Sequence, residues 1–356
     1  MSTPGTGLHG CPDLQAELEG FFTTCDASLL PDPSAINEFL WSGLNRSGIQ
    51  QGLVPGNGKI RTLQLRYDQA ISESDVDEVS SCDRVCVATT KRGDLITNYE
   101  IDTCDKLRIE ELINANDFKE ACRGNSDILN KKMRLMMNAL LKKVSTKMVG
   151  LAAGYFGHWP TDVQNKISDG GVDTLKIATK LASGAIDPEG MYDLDFAIQQ
   201  TQFCNGAIVF GGAALKKYAD LMNAGCCAST GLNVAEILAQ FGYAVTYDRR
   251  LDVELGDSIH GMVLGVRALQ PVYFTANNDG INDAIGLNVG ANYQKQVIYE
   301  PMTGMGIDLT LSDDCGDVSI IMETVVDLKA LPADIFAPDD RMVGTNWVNK
   351  VKIVNP

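Results

Sequence analysis

The stretch NSDILNKKMRLMMNALLKKVSTKMVGLA, residues 125–152, decides how the rest of the chain is read. Met133, Met136, Met137, Leu140, Val144, Met148 and Leu151 recur at steps of three and four, the spacing that stacks side chains on one face of an α-helix. One amphipathic helix is therefore predicted over Ser126–Ala152, about 40 Å long at about 1.5 Å per residue. Its other faces carry Lys131, Lys132, Arg134, Lys142, Lys143 and Lys147. Its one acid, Asp127, falls in the first turn, where the helix dipole favours negative charge. The basic face reads either as an ordinary solvated surface or as a rail on which acidic groups dock.

Working outward toward the N-terminus, Lys59–Gln69 alternates, with Leu63, Leu65 and Tyr67 against Thr62, Gln64 and Arg66. A second extended run is predicted over Arg84–Ile101. The two form a long hairpin whose tip holds Glu73, Asp75, Asp77 and Glu78 and no base between residues 71 and 83. Both faces are half polar, so the ribbon lacks a core of its own and needs a partner to settle on. Residues 1–55 hold two short apolar groups, around Leu14–Phe22 and Ile36–Leu44, separated by Pro31 and Pro33. They read as an arm too small to fold alone.

On the other side of the long helix the pattern is mixed. Helices are predicted over Thr174–Leu181 and after Pro188, and a further one over Ile109–Ala121 ahead of the long helix. An α/β rhythm follows: strand Ala207–Phe210, helix Ala213–Asn223, helix Val234–Phe241, strand Ala244–Tyr247. His260–Val266 and Val272–Thr275 read as a strand pair. Gln296–Tyr299, Gly306–Leu311, Val318–Asp327 and Val351–Val354 are predicted as closing strands.

With 356 residues, 45% of them apolar, the chain can bury one or two cores and is not a disordered polymer. Its 46 acids against 30 bases give a formal charge of −16, which repels phosphate at long range and argues against a sequence-reading nucleic-acid binder. No basic segment followed by an apolar one opens the chain, and no apolar run reaches the ~20 residues of a membrane span. Ten scattered cysteines without a C-x-x-C pair read as reduced thiols. Cys82, Cys86 and Cys104 have the wrong spacing for a zinc site.

Motifs of chemistry are weak. Gly256-Asp257-Ser258-Ile259 looks like an esterase signature, but the last histidine, His260, lies two residues after the serine and so cannot complete a triad. The reading is a polar turn entering a strand. Gly211-Gly212 between a strand and a helix could cradle a phosphate. It lacks the G-x-G-x-x-G and P-loop patterns and reads as a tight turn. His9 and His158, the other two histidines, belong to no ligand pattern. No catalytic, cofactor-binding or metal site is assigned, and the chain is read as not an enzyme.

An arm, a long two-stranded excursion, a spine helix, an α/β insert and closing strands, in that order, resembles the Hong Kong 97-like fold of tailed-phage major capsid proteins. The stretches that carry the resemblance are GKIRTLQLRYDQ (58–69) with CVATTKRGDLITNYEID (86–102), the long helix, GAIVFGGAALKKYADLMNA (206–224), YAVTYDRRL (243–251) and HGMVLGVRALQPVYFT (260–275). The resemblance implies an α+β fold with an N-terminal arm (1–55), an extended β-hairpin loop (56–103), a peripheral domain (104–200) with its spine helix (126–152), an α/β axial domain (201–285) and peripheral closing strands (286–356). It implies a shell subunit that assembles in the host cytoplasm into hexamers and pentamers of an icosahedral virion around double-stranded DNA. No cofactor and no membrane are expected. Non-specific contact with packaged DNA, and scaffold, portal or decoration proteins, are left open as partners. From charge, Glu73, Asp75, Asp77 and Glu78 at the loop tip are expected to dock on Lys131, Lys132 or Arg134 of an adjacent copy. Two other readings stand beside this one: an encapsulin-like compartment of the same fold that cages a protein cargo, and a soluble α/β enzyme with a nucleotide at Gly211-Gly212.

Overall fold

The computed structural model describes residues 53–54, 60–67, 95–102, 104–113, 127–180, 187, 189–201, 207–225, 245–265, 269–274, 293–299, 305–314, 317–330 and 348–354. The arm, the hairpin tip and the helix expected over Val234–Phe241 lie outside them. The described chain is a mixed α+β protein that divides into two compact units. One takes in Asp102–Met148 and Pro271–Asp327; the other takes in Val149–Gln270 and Leu328–Pro356 with the hairpin strands.

In the first unit the expected helix is present as α1, Asp127–Ala153, whose residues to Met148 belong here. Met133, Met136, Met137, Leu140, Val144 and Met148 are all buried, as the periodicity requires. The unit's antiparallel sheet comprises β4 (Lys106–Ile113), β11 (Leu269–Phe274), β12 (Tyr293–Tyr299), β13 (Gly306–Asp314) and β14 (Asp317–Ala330). β14 is central and pairs with β13, β4 and β11. In register, Leu309 faces Met322, Leu311 faces Ile320, and Ile109 and Glu111 on β4 face Met322 and Ile320. Directly opposed residues share a face, so Glu111 stands among the inward apolar residues. There it meets Lys132 of α1, with both side chains still more than a third exposed.

β4 replaces the beginning of the helix expected over Ile109–Ala121. Alternation in the sequence fails at Glu110-Glu111, because the inward position at 111 holds a carboxylate paired to a lysine instead of an apolar side chain. Once that pair is recognised, burial along β4 alternates as in any half-buried strand.

The second unit is built on a seven-stranded sheet. Its strands are β5 (Phe156–Gly157), β6 (Lys166–Asp169), β7 (Val172–Ala178), β8 (Ala207–Gly211), β9 (Val245–Tyr247), β10 (His260–Gly265) and β15 (Val348–Val354). Their order is β6-β7-β15-β10-β8-β9, with β5 also paired to β15. Helices α2 (Glu189–Gln200), α3 (Ala213–Gly225) and α4 (Arg249–Leu255) complete it. Trp159, Leu175, Ile177, Leu194, Val209, Leu215, Val263 and Val351 form one buried cluster, and the Trp159 indole N–H donates to the Lys350 carbonyl at 2.8 Å. Val351–Val354, expected among peripheral closing strands, lies mid-sheet between β7 and β10.

Two further expectations are corrected here. Thr174–Ala178 is strand, not helix. Leu175 and Ile177 are buried while Lys176 and Ala178 are exposed, the period of two of a strand, and buried Thr174 interrupts it on the otherwise open face. β10 and β11 exist but do not pair with each other. Both edges of β10 are taken, by β8 and β15, and β11 pairs with β14 instead.

Among the described residues the hairpin strands β2 (Ile60–Tyr67) and β3 (Leu95–Asp102) form a separate three-stranded sheet with the short β1 (Leu53–Val54). The foot of β3 is anchored: Ile101 is buried and the Tyr99 hydroxyl donates to the Ala330 carbonyl at 2.8 Å, while Asn98, Glu100 and Asp102 are exposed. Among the described residues no helix is long and apolar enough to cross a membrane.

Truncating Met137, 1% exposed in the helix stripe, to alanine removes most of a fully packed side chain. The expected loss is about 2–5 kcal/mol, read as a lowered urea midpoint of the full chain. A midpoint within error of the parent would mean that the stripe is not packed as described.

Candidate functional site

The residues singled out by charge fall in three groups. Glu73, Asp75, Asp77 and Glu78 lie outside the described residues, as does the side chain of Lys131. Lys132 and Arg134 stand half-buried on α1. Lys132 is engaged with Glu111 of its own chain, and Lys147, further along the helix, bonds Asp105 at 2.7 Å just before β4. Lys142 and Lys143 are exposed. The basic face is thus partly matched by carboxylates on the strand beneath it. Sequence reading missed Asp105 and Glu111 because β4 was taken for helix.

On the outer face of the same strand, Glu323 of β14 sits 3.4 Å from Lys106 and 3.7 Å from Arg108, and Arg108 also reaches Glu110 at 2.7 Å. These are solvent-facing pairs, each contributing about 0–1 kcal/mol. They decorate the strand more than they hold it.

The Gly211-Gly212 turn has the position of a phosphate cradle but is already filled. A Cβ on Gly212 would lie 2.3 Å from the His260 carbonyl oxygen and 2.6 Å from that of Ser258. The glycine is there because two backbones cross at contact distance. The amide donors that would greet an anion have internal acceptors. Gly212 N–H donates to the His260 carbonyl at 2.8 Å, Ala213 N–H to Asp252 Oδ1 at 3.2 Å and Ala214 N–H to the Ser258 carbonyl at 3.0 Å. Asp252 is the anion at this helix start, supplied in cis by α4. Its other oxygen accepts from the Tyr247 hydroxyl at 2.7 Å, and that hydrogen bond is the main reason the phenol's pKa is raised. The amides of Gly212, Ala213 and Ala214 are therefore not free for a nucleotide phosphate.

The Gly256–Ile259 segment is a polar turn leading into β10, as its sequence suggested. Gly256 takes a left-handed conformation (φ 81°) that ends α4. Asp257 Oδ1 accepts from the backbone N–H groups of Ile259 and His260. The same oxygen lies 2.6 Å from His260 Nδ1, while Nε2 on the opposite side of the ring is 3.3 Å from Asp169 Oδ2. Asp169 ends β6, held there by a two-residue turn in which Gly170 and Gly171 both have positive φ, the geometry that matches the twist of a hairpin. Lys350 of β15 completes the cluster at 3.3 Å from Asp169. The arrangement links β6, β10 and β15. It offers a nearly buried histidine between two carboxylates, with the Ser258 backbone carbonyl committed to α3.

Among the described residues no cluster of His, Cys, Asp or Glu is placed to hold a metal ion. Cys104 is an exposed free thiol. Cys82 and Cys86 lie outside the described residues.

No family model and no curated protein matches this sequence. Among solved structures the chain is similar to one from Microbacterium phage Oxtober96, with a TM-score of 0.44 and 10% identity over 96% of this chain and 100% of that one. It is similar to the capsid of cyanophage P-SCSP1u, with a TM-score of 0.42 and 12% identity over 85% and 86% of the two chains. It is also similar to the virus-like particle of Pyrococcus furiosus, with a TM-score of 0.40 and 12% identity over 89% and 98%.

The hydrogen bond from Lys350, then its charge, hold the Asp169 carboxyl below its ordinary value of 3.8, with smaller help from His260 and Lys352 against the opposing effect of burial. A depressed carboxyl stabilises the fold above its unfolded-state value, and that contribution is lost as pH falls through the lowered folded-state value. The Asp169→Asn variant should therefore melt below the parent at neutral pH, with the gap closing under about pH 4. A gap that stays constant down to strongly acid pH would show that the carboxylate's charge is not what holds β6 to β15.

Proposed function

We propose that this chain is the repeating subunit of an icosahedral shell of the Hong Kong 97-like kind, the major capsid protein of a tailed bacteriophage. The observation that carries the reading is the ribbon. Among the described residues β2 and β3 join neither core sheet, and β3 is anchored at its foot by Tyr99 and Ile101. A ribbon of so few strands is marginal by itself in water. A surface on an adjoining subunit supplies the burial it lacks, and association stabilises the folded form by mass action. The order of elements supports the same reading: ribbon, then a long helix and a five-stranded sheet in one unit, and a separate unit on a mixed sheet. In this reading residues 1–55 are the arm and 56–103 the extended loop, while 104–148 with 271–327 is peripheral and 149–270 with 328–356 axial, a division that moves β5 to β7 and β15 out of the peripheral part first expected.

The subunit's partners are copies of itself, in hexamers and pentamers formed in the host cytoplasm around double-stranded DNA, and it works as structure and not as a catalyst. The nucleotide-enzyme reading loses its support at Gly212, where the chain's own acceptors fill the turn. Electron microscopy of the purified full-length chain should show closed particles of uniform size. A species that remains monomeric at every concentration would overturn the proposal. Protein cargo instead of nucleic acid in particles from the native source would assign the chain to the encapsulin-like alternative.

At the contact between subunits, the acidic tip, Glu73, Asp75, Asp77 and Glu78, is proposed to reach Lys131, Lys132 and Arg134 of a neighbour. Lys132 already has Glu111, so an arriving carboxylate joins or displaces that partner. Exposed pairs of this kind supply about 0–1 kcal/mol each and set register more than cohesion. Changing all four acids to lysine should block or misdirect assembly, scored as particle yield and size. Normal shells from that variant would remove the loop-tip contact from the proposal.

A further inference from the structure

The unit built on the seven-stranded sheet carries two exposed features of opposite character. The first is on α2. Met191, Leu194, Ala197 and Ile198 face the core, while Tyr192 and Phe196 are 48% and 50% exposed. At i and i+4 these two aromatics are neighbours on the outer face. Exposed Glu189 lies one turn before Tyr192, and half-buried Asp193 lies beside it. The result is an aromatic knob bordered by carboxylates.

The second feature is a cleft of about 410 Å³ beside the start of α3. Ala213, Ala214, Tyr218 and Leu221 give it apolar lining, and exposed Lys180 and Lys217 flank it. Its volume is in the range of about 300–1,000 Å³ typical of clefts that seat a sizeable apolar group. The lysines are not part of a phosphate cradle, because the amides of Ala213 and Ala214 are committed to Asp252 and Ser258.

We propose that Tyr192 and Phe196 of one copy seat in this cleft on the next copy, with Glu189 and Asp193 facing Lys180 and Lys217. The inference rests on the shell reading above and names one contact within it. A second copy is the occupant because the chain carries both halves of a match in charge and in apolarity, and its own aromatics remain half exposed and so are not in its own cleft. Buried aromatics are the usual energetic anchors of an interface, and a lysine near an aromatic face adds cation–π attraction. Knob and cleft are different surfaces, so the contact is heterologous and generates a ring wherever the rotation closes.

The test uses two variants of the full chain, each checked for folding by circular dichroism. Tyr192→Ser with Phe196→Ser removes the knob and leaves the cleft; Lys180→Glu with Lys217→Glu reverses the cleft and leaves the knob. At a concentration too low for the ribbon and loop-tip contacts alone to hold subunits together, each variant should stay monomeric while the parent assembles. Mixed in equal amounts they should form a dimer and stop there, because one intact knob meets one intact cleft. Sedimentation velocity should show at least tenfold more dimer in the mixture than in either variant alone. Parent-like particles from either variant, or folded variants whose mixture gives no dimer, would overturn the contact. Failure of the knob variant to lose assembly while the cleft variant does would assign the cleft to a different occupant and likewise overturn it. A parent chain that forms no particles takes down the shell reading itself; the mixed dimer is scored separately from that result.

Discussion

A helix of 27 residues with an apolar stripe down its length must find a surface about 40 Å long. In the first unit the inward residues of β14 alternate from Val318 through Met322, an apolar face that must be buried as well. Much of the first unit follows from these two demands. β13 and β4 extend that face sideways, and Lys132 of the helix meets Glu111 on β4. A charged residue is tolerated at that inward position because its side chain keeps contact with water, 37% exposed, and has Lys132 as a partner. The helix cannot slide by a turn without parting both this pair and that of Lys147 with Asp105.

What was legible in the sequence was what one periodicity could express. The long helix, α2, α3 and strands β8 to β15 lie within a few residues of where their patterns put them. Pattern reading failed where burial came from a third dimension. The inward glutamate at 111 disguised a strand as a helix, and in β7 the alternation is broken where Thr174 and Leu175 are buried side by side, before exposed Lys176 and Ala178 resume it. The pairing of β10 with β11 was inferred from adjacency, but adjacency loses when both edges of a strand are already occupied. Site reading had the same limit. The helix's lysines were visible as a basic face, yet Asp105 and Glu111, which meet two of them, became visible only with β4 in place. His260 was conspicuous for its scarcity, but nothing along the chain points from it to Asp169 or Lys350, which lie some ninety residues away on either side.

The second unit shows how a motif can be present in form and absent in chemistry. A strand, two glycines and a helix make the outline of an anion site. What decides against it is who owns the acceptors. Asp252 and two carbonyls reach the first amides of the helix, and Gly212 is glycine so that those carbonyls can come close. The outline thus serves to knit α4, β10 and α3 together. The cluster around His260 does comparable work on the other side of β10.

Strand β15 has a bearing on how the molecule comes into being. It fills the slot between β7 and β10, yet it is encoded about eighty residues beyond the end of β10. At roughly 5–20 residues per second of synthesis, the ribosome holds that slot open for several seconds after its neighbours have emerged. A nascent chain in that interval has two adjacent strand edges exposed, a state that invites pairing with another chain. Timing of translation, and any chaperone that shields those edges, then governs how many polypeptides mature into competent building blocks.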